Sequence, residues 1–497
     1  MGCSHGTPKN AATTGYLLLR VIQAIFVVHA GVIFAGILTF QALELTNCST
    51  SDDDAGSCGE STNNGNDNGI DDDSNSNCNQ LWGLIKPGSL LTLIASVAGM
   101  FTAIICPFVG TAMDFTPYRK HIGAISVLMC TLGTALCCSL IVPSEFTIAI
   151  CSFGFFLIYV FKDFLSMTSD SYVPELSTVH YEVSAAVSSS LTWIFITEVT
   201  YILICVVLSG FVSYNVYGTI VSAVATIVVW CLLPIAYERI PHVEASRNIP
   251  EGNSLIQFSA IRLKQLTIEV YTHYTDIGLL FLANMVFDPA LNGIFIAAIL
   301  IMISYEYTSS EVTIVLFIAI IAAIPGSIAS KWIVHVGVDD EDNGGGGDDG
   351  GSNNDGNSDN SNNSNNGSND HGGISSNNNE IQDGNTIGAA QTGQTGQTAQ
   401  TGQTDTREGE HHICHMKWSL VIGLLACGVV TILAAYTMQK CAMYLTILYG
   451  ILWGFGLAWC WNTSNMLRNA LVPGGSEAEL SGLSFSSVNI IAWLPPL

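Results

Sequence analysis

LLTLIASVAGMFTAIICPFVGTA (Leu90 to Ala112), MDFTPYRKH (Met113 to His121) and IGAISVLMCTLGTALCCSLIV (Ile122 to Val142) follow one another without a break. Each outer segment is long enough to cross about 30 Å of hydrocarbon as a helix, which takes roughly 20 apolar residues. The short segment between them carries Asp114, Arg119 and Lys120 and turns the chain back. Alternation at period 2 is absent, and a backbone deprived of water satisfies itself within a helix. The stretch therefore reads as a helical hairpin across a bilayer.

Eight further stretches of the same kind lie on either side: Tyr16 to Leu43 before the hairpin, and Phe146 to Ser166, Ser189 to Phe211, Thr219 to Tyr237, Ile277 to Ile303, Val312 to Val336, Trp418 to Met438 and Met443 to Trp461 after it. An eleventh begins near Gly482. The expected fold class is all-α, a polytopic membrane helix bundle. The first apolar run is too long for a signal peptide and lacks a small-residue cleavage site.

Cations set the expected orientation. With the N-terminus cytosolic, thirteen of the fifteen Lys and Arg residues fall in or beside cytosolic segments, leaving Lys86 and Lys440 opposite. That asymmetry is a positive-inside signal.

The formal charge of -25 comes mostly from two inserts, 47–79 and 337–411. Without their 22 acids and single base, 18 acids face 14 bases, so the remaining body is nearly neutral. Both inserts are rich in Asn, Gly, Ser and Asp and are expected to be disordered, the first lumenal and the second cytosolic, because too few apolar groups offset the entropy of ordering. Most of the fifteen cysteines lie inside spans, where they pack as small soft residues. Cys48, Cys58 and Cys78 share one loop and allow a single bridge.

Six spans precede residues 238–276 and four follow. The expected organisation is a six-helix half (1–237), a cytosolic linker with a surface helix at Leu255 to Tyr274, and a second half (277–497), a plan shared by many transporters with a midplane substrate site. In the linker helix, Ile256, Leu263, Leu266 and Val270 are expected on one face. With twelve helices as the plan, sixteen residues from Gly482 to Leu497 leave the eleventh truncated, so the chain is expected to be incomplete or reduced at this end.

Ionisable groups inside a membrane cost about 2.5–3.5 kcal/mol at a helix centre and need a reason to be there. His29, Glu198 and Asp288 fall at similar depth in spans one, five and seven and form a candidate substrate or proton cavity. Asn292 joins them, since Asp288-Pro289 and Asn292-Gly293 loosen the seventh helix and free carbonyls. Helix-to-helix hydrogen bonding is the alternative for all of them. Lys162 and Asp163 are expected to end span four and snorkel to the interface. Gly450 and Gly454 are expected to permit close helix contact. His411, His412, Cys414 and His415 form a weak metal-binding candidate against a plain polar flank. No P-loop lysine, Gly-x-Ser-x-Gly elbow or His-Glu-x-x-His helix is present, so the sequence gives no reason to propose an ATP-driven pump of that class or an enzyme, and no cofactor is expected.

Gly110, Asp114 and the pair Arg119-Lys120 resemble the loop signature of the major facilitator superfamily, one residue longer than its common form. In that superfamily the signature implies a device that holds one conformational state. Asp170-Ser171-Tyr172-Val173-Pro174-Glu175-Leu176 resembles the Asn-Ala-Tyr-Leu-Pro-Glu-Leu stretch of its vacuole effluxer branch, the autophagy-related protein 22-like transporters. Pro473 with Gly474-Gly475, Glu479 and Gly482-Leu483 is similar to that branch's segment between helices ten and eleven, and Pro325-Gly326 to its Pro-Gly element. Phe287-Asp288 is similar to its Tyr-x-Asp-Gly stretch, with Pro289 in place of Gly. Span one and the opening of span five, Val183 to Ser188, depart from the pattern.

The resemblance implies a secondary transporter that exports small solutes such as amino acids from a vacuole-like compartment by alternating access. Membrane lipid and a small-molecule substrate are the expected partners, and nucleic acid is not. A transport-inactive scaffold or sensor built around the cytosolic insert, and a metal transporter using the His/Cys cluster, are the alternatives.

Overall fold

A computed structural model describes residues 8–45, 81–85, 89–142, 144–176, 180–212, 214–242, 245, 249, 254–304, 309–342, 405–437, 443–473 and 475–492. Its helices are α1 (Pro8–Val28), α2 (Ala35–Leu45), α3 (Leu90–Phe115), α4 (Arg119–Cys137), α5 (Glu145–Ser171), α6 (Val173–Leu176), α7 (His180–Ser209), α8 (Tyr214–Arg239), α9 (Leu255–Thr272), α10 (Thr275–Ser304), α11 (Ser309–Asp342), α12 (Asp405–Thr437), α13 (Met443–Leu471) and α14 (Glu477–Ala492). A π-helical turn, His29–Phe34, joins α1 to α2, so the first span is one long helix with a local widening.

Among the described residues, nine helices are long and apolar enough to cross a membrane, and they match nine of the ten expected spans. The tenth expected span, Ile277 to Ile303, is the single helix α10, whose side chains at 291–301 lie outside the described set. The first insert lies outside the described residues, as do 343–404 of the second. Both ends of the second insert depart from the expected disorder: α11 continues to Asp342 and α12 begins at Asp405.

The bundle is polar within and apolar without. Thr102, Ser222 and Asn462 are fully buried, whereas Ile104, Ile227, Leu279 and Leu425 project outward and exposed. That arrangement places hydrocarbon-loving side chains against lipid and lets helices share hydrogen bonds inside. The chain is an integral multi-pass membrane protein. Its α5 starts at Ser144, whose hydroxyl accepts the Thr147 N–H at 3.2 Å while Thr147 Oγ1 accepts the Ser144 N–H at 2.9 Å, a reciprocal cap.

Close helix pairs form where side chains vanish. A Cβ on Gly133 would lie 2.5 Å from the Gly154 carbonyl, and one on Gly154 would lie 2.6 Å from that of Gly133, locking α4 to α5. Gly454 meets the Ala319 carbonyl and Gly450 the Val315 side chain, bringing α13 against α11 as the glycine spacing implies. The helices before α9 and those after it meet along two seams, α3 and α5 on α14, and α7 on α11 and α13.

The linker helix α9 packs on α3 and α10. Ser259, Leu266 and Val270 form its buried face. Ile256, expected on that face, is 74% exposed, because the helix turns its first apolar residue outward and sets Phe258 edge-on against Phe115, with ring centroids 4.7 Å apart.

Candidate gate and substrate pathway

The first seam joins α3 to α14, antiparallel. A Cβ on Gly110 would lie 2.3 Å from the Ala478 carbonyl, and one on Gly482 would lie 2.6 Å from that of Cys106. Further along, Ser486 donates to the Ala103 carbonyl at 2.7 Å and Gly99 faces Asn489. From Gly110 to Gly99 these contacts span about 16 Å of helix at ~1.5 Å per residue. The two groups of helices are thus zipped together from the α9 end into the bundle.

Asp114 closes the end of that zip. Fully buried on the last turn of α3, its carboxylate accepts the N–H of Ala478 at 3.3 Å and of Glu479 at 2.9 Å, two donors that the first turn of α14 leaves without intrahelical partners. Arg119 donates to Asp114 Oδ1 at 3.2 Å and to the Ser171 carbonyl at 2.9 Å, and lies 3.7 Å from Glu175. Its guanidinium also stands over the Tyr172 ring. Lys120 serves elsewhere, donating to the Ile240 carbonyl at 2.9 Å with its ammonium over Tyr237. Pro174 is exposed and lies in the short α6. Pro473 precedes Gly475, whose φ of +84° lets the chain turn from α13 into α14.

One turn deeper, Asp170 holds two arginines from different groups of helices. Arg20 of α1 donates to one oxygen, and Arg468 of α13 donates to the other at 2.5 Å. Arg20 also reaches Tyr16 at 3.3 Å and Ser166 at 3.4 Å, and the Tyr16 hydroxyl lies 3.1 Å from that of Ser190 in α7. Along the second seam the Asn462 amide nitrogen lies 2.9 Å from the Ser188 hydroxyl, 2.5 Å from that of Ser330 and 2.7 Å from the Ser327 carbonyl. Thr192 bonds Ser327 at 2.7 Å. Both seams are therefore closed by polar contacts toward the α9 end.

The linker helix adds a latch. Arg262 donates to both oxygens of buried Glu479 at 3.2 Å and to Glu269 at 3.0 Å. Burial opposes the Arg262 charge, but Glu479 and Glu269 outweigh it and hold the guanidinium above its usual range. A cavity of about 350 Å³ opens beside this contact, lined by Arg262, Glu269, His273, Pro473 and Ser476 among others. It lies apart from the midplane space expected among His29, Glu198 and Asp288.

Those three are placed differently from one another. His29 is fully buried inside the first group of helices, its ring nitrogens 2.9 Å from the Tyr201 hydroxyl and 3.3 Å from that of Ser222. Asp288 is half-buried and faces Trp461 and Arg468 of α13. On α7, Phe195 points to Ala323 and Ala458 of the second group, and Tyr201 points to His29 in the first. Glu198, halfway between them in sequence, falls at ~100° per residue on the arc of α7 between those two contacts. The Asn292 side chain lies outside the described set, as do those of His411 and His412. Cys414 and His415 are exposed, and among the described residues no group of three His, Cys, Asp or Glu side chains could hold a metal.

Arg20, Arg468 and Asn462 are not among the sequence-predicted site residues, and Asp170 is predicted only as the start of the family-like stretch, not as their partner. The sequence reading misplaced Lys162 and Asp163, which lie eight or more residues before the end of α5, because polar Thr168 to Ser171 continue the helix rather than ending it.

No family model matches the chain, and no curated protein does. Solved structures do. The human organic anion transporter MFSD10 (TETRAN) is 10% identical with a TM-score of 0.56, covering 98% of this chain and 92% of its own. The proton:xylose symporter XylE is 11% identical with a TM-score of 0.53, over 98% and 89%. A bacterial homologue of the iron transporter ferroportin, in an outward-facing state, is 13% identical with a TM-score of 0.52, over 98% and 91%. The fold is that of the major facilitator superfamily.

Proposed function

We propose that the chain is a secondary transporter working by alternating access, caught with its pathway closed at the α9 end. The observation that carries this is the double seal between the two groups of helices: Asp114 on the N-terminus of α14, and Asp170 between Arg20 and Arg468. Contacts of this kind are made in one state and lost in the other, which is what a gate requires. With the N-terminus cytosolic, as the cations argue, the seal shuts the cytosolic side and the pathway faces the lumen or exterior.

A wedge between the groups that Glu198 and Asp288 would line, with Trp461 between Asp288 and the Phe195 cluster, is the proposed solute site. Its acidic character suits a solute carrying an ammonium group. Together with the likeness of Tyr172-Val173-Pro174-Glu175-Leu176 to the vacuole effluxer branch, this favours export of amino acids from an endomembrane compartment such as a vacuole. The test is efflux of labelled amino acids from vesicles reconstituted with the protein. Efflux that falls at least tenfold in Glu198→Gln and Asp288→Asn supports the site, efflux unchanged in both removes it, and no movement of any labelled amino acid overturns the substrate class.

A further inference from the structure

Asp114 and Asp170 each hold an arginine, but a third carboxylate at the junction of the two groups does not. Asp163 lies eight residues before the end of α5, about 12 Å inside it at ~1.5 Å per residue. Its side chain is 17% exposed. Asn489, on the far part of α14, donates to Asp163 Oδ2 at 3.2 Å, and this bond crosses between the groups at the inner end of the α3–α14 zip.

Among the described residues, the one cation paired with it is a poor partner. Lys162 precedes Asp163 in the helix, where consecutive side chains diverge, and its ammonium stands 3.9 Å from the carboxylate while resting 4.7 Å over the Tyr159 ring. The other titratable groups that face Asp163 among the described residues are the Cys106 thiol of α3 and the Cys130 thiol of α4; α14 brings the neutral Asn489. At Asp114 and at Asp170 an arginine side chain bonds the carboxylate directly. Among the described residues Asp163 has no such partner, and carboxylates at such depth are rare outside ion pathways.

We infer that Asp163 is the proton-binding residue that couples to the gate, with Asn489 as the contact that senses its charge. The inference deepens the transporter reading and rests on it for its purpose, though its test does not. The anion accepts the Asn489 amide and helps hold α14 against α3 and α5. A protonated carboxyl is a weaker acceptor, so proton binding favours release of α14 and opening at the α9 end. By reciprocity, opening favours the protonated form until the proton leaves by that end. No covalent change is involved; one proton is bound and released.

Hydrogen exchange of full-length protein in detergent tests this without any solute. The probe is the proton, and the readout is protection of the amides of Ala478, Glu479 and Leu480, followed from pH 8 to pH 4.5 after correction for intrinsic exchange. In the unmodified protein, protection falls at least tenfold on acidification. Asp163→Asn is flat at the low-pH level, and Asp163→Glu keeps the fall with a displaced midpoint. Asn489→Ala, which leaves every carboxylate in place, removes the contact that favours the anion in the closed state, so the fall shrinks or is lost.

A fall undiminished in Asp163→Asn, no fall in the unmodified protein, or a response to sodium at constant pH each overturns the inference. Should Asp163→Asn not fold, an undiminished fall in Asn489→Ala overturns it equally. Failure of vesicles to release any labelled amino acid would overturn the proposed substrate class alone, since exchange at α14 is read independently.

Discussion

Asp170 of α5 and Arg468 of α13 meet at 2.5 Å across the two groups of helices, with Arg20 on the other carboxylate oxygen. A single anion therefore bridges two buried cations, one from each group. Taking it away leaves both guanidiniums buried without it, a loss of about 3–5 kcal/mol for such a break. Asp170→Asn is expected to lower the thermal midpoint of the purified protein and to widen the distance between spin labels placed on α5 and α13. An unchanged distance distribution would show that this triad does not hold the groups together.

Asp114→Asn tests the neighbouring contact. The substitution keeps the shape but removes the charge that faces the two amides of α14 and Arg119. Charge-assisted bonds of this kind contribute about 1.5–3 kcal/mol. Exchange of the Ala478 and Glu479 amides is expected to rise at least tenfold with little change in overall helicity, while equal protection in both proteins would dismiss Asp114 as a cap.

Two glycines separate packing from gating. A Cβ on Gly454 would press into the Ala319 carbonyl within the second group, whereas one on Gly110 would press into the Ala478 carbonyl between the groups, at 2.3 Å. Overpacking costs about 1–3 kcal/mol. Gly454→Ala is expected to lower thermal stability, because α11 and α13 stay together in every state. Gly110→Ala is expected instead to favour the opened state with a smaller effect on melting, read as labelling of a cysteine placed on the facing surface of α14.

How much of this was legible beforehand follows from what each feature depends on. Spans need only length and hydropathy, so Leu90 to Val142 gave its hairpin directly, and Gly110 with Asp114 could be placed by their likeness to a known loop. Partners are a different matter. Arg20 and Arg468 looked like ordinary interfacial cations in one dimension, because the anion they share, Asp170, is 150 residues from one and 298 from the other. Asp163 was placed too near the interface since the apolar run stops there while the helix goes on through Thr168, Ser169 and Asp170, the first two of which bond back to the Phe164 and Leu165 carbonyls of their own helix. Ile256 shows the same limit on the linker: an apolar spacing names a face, but which neighbour covers it is set by tertiary packing.

His29 distinguishes hydrogen-bonded packing from a role in the pathway. Its ring sits between Tyr201 and Ser222 with no exposed surface. His29→Phe keeps the volume and removes both bonds, leaving the Tyr201 and Ser222 hydroxyls to find other partners at a cost of about 1–3 kcal/mol. The expected result is a lower thermal midpoint with the pH profile of efflux unmoved. A profile that loses an inflection near the ordinary histidine range would instead return His29 to the proton path.

The α9 latch makes the last prediction, and its sign comes from Arg262. Glu479 and Glu269 hold that guanidinium above its usual range against the opposing effect of burial. A base whose folded pKa is raised contributes fully below its unfolded value and loses its effect only as pH climbs toward the folded one. The unfolded value for arginine already lies far above neutrality, so the latch keeps its cation throughout the range in which membranes survive. Raising pH from 6 to 9 should therefore leave α9 in place, whereas acidification enough to protonate Glu479 should release it. Limited proteolysis in the α9 segment reads this directly: cleavage is expected to be slow and level from pH 6 to pH 9 in the unmodified protein and fast at every pH in Arg262→Ala. Arg262→Lys, which keeps the charge but cannot grip Glu479 and Glu269 together with one planar fork, should fall between the two. Equal cleavage in all three would mean that α9 is held by Phe258, Leu266 and Val270 alone and that the ion pairs on it are incidental.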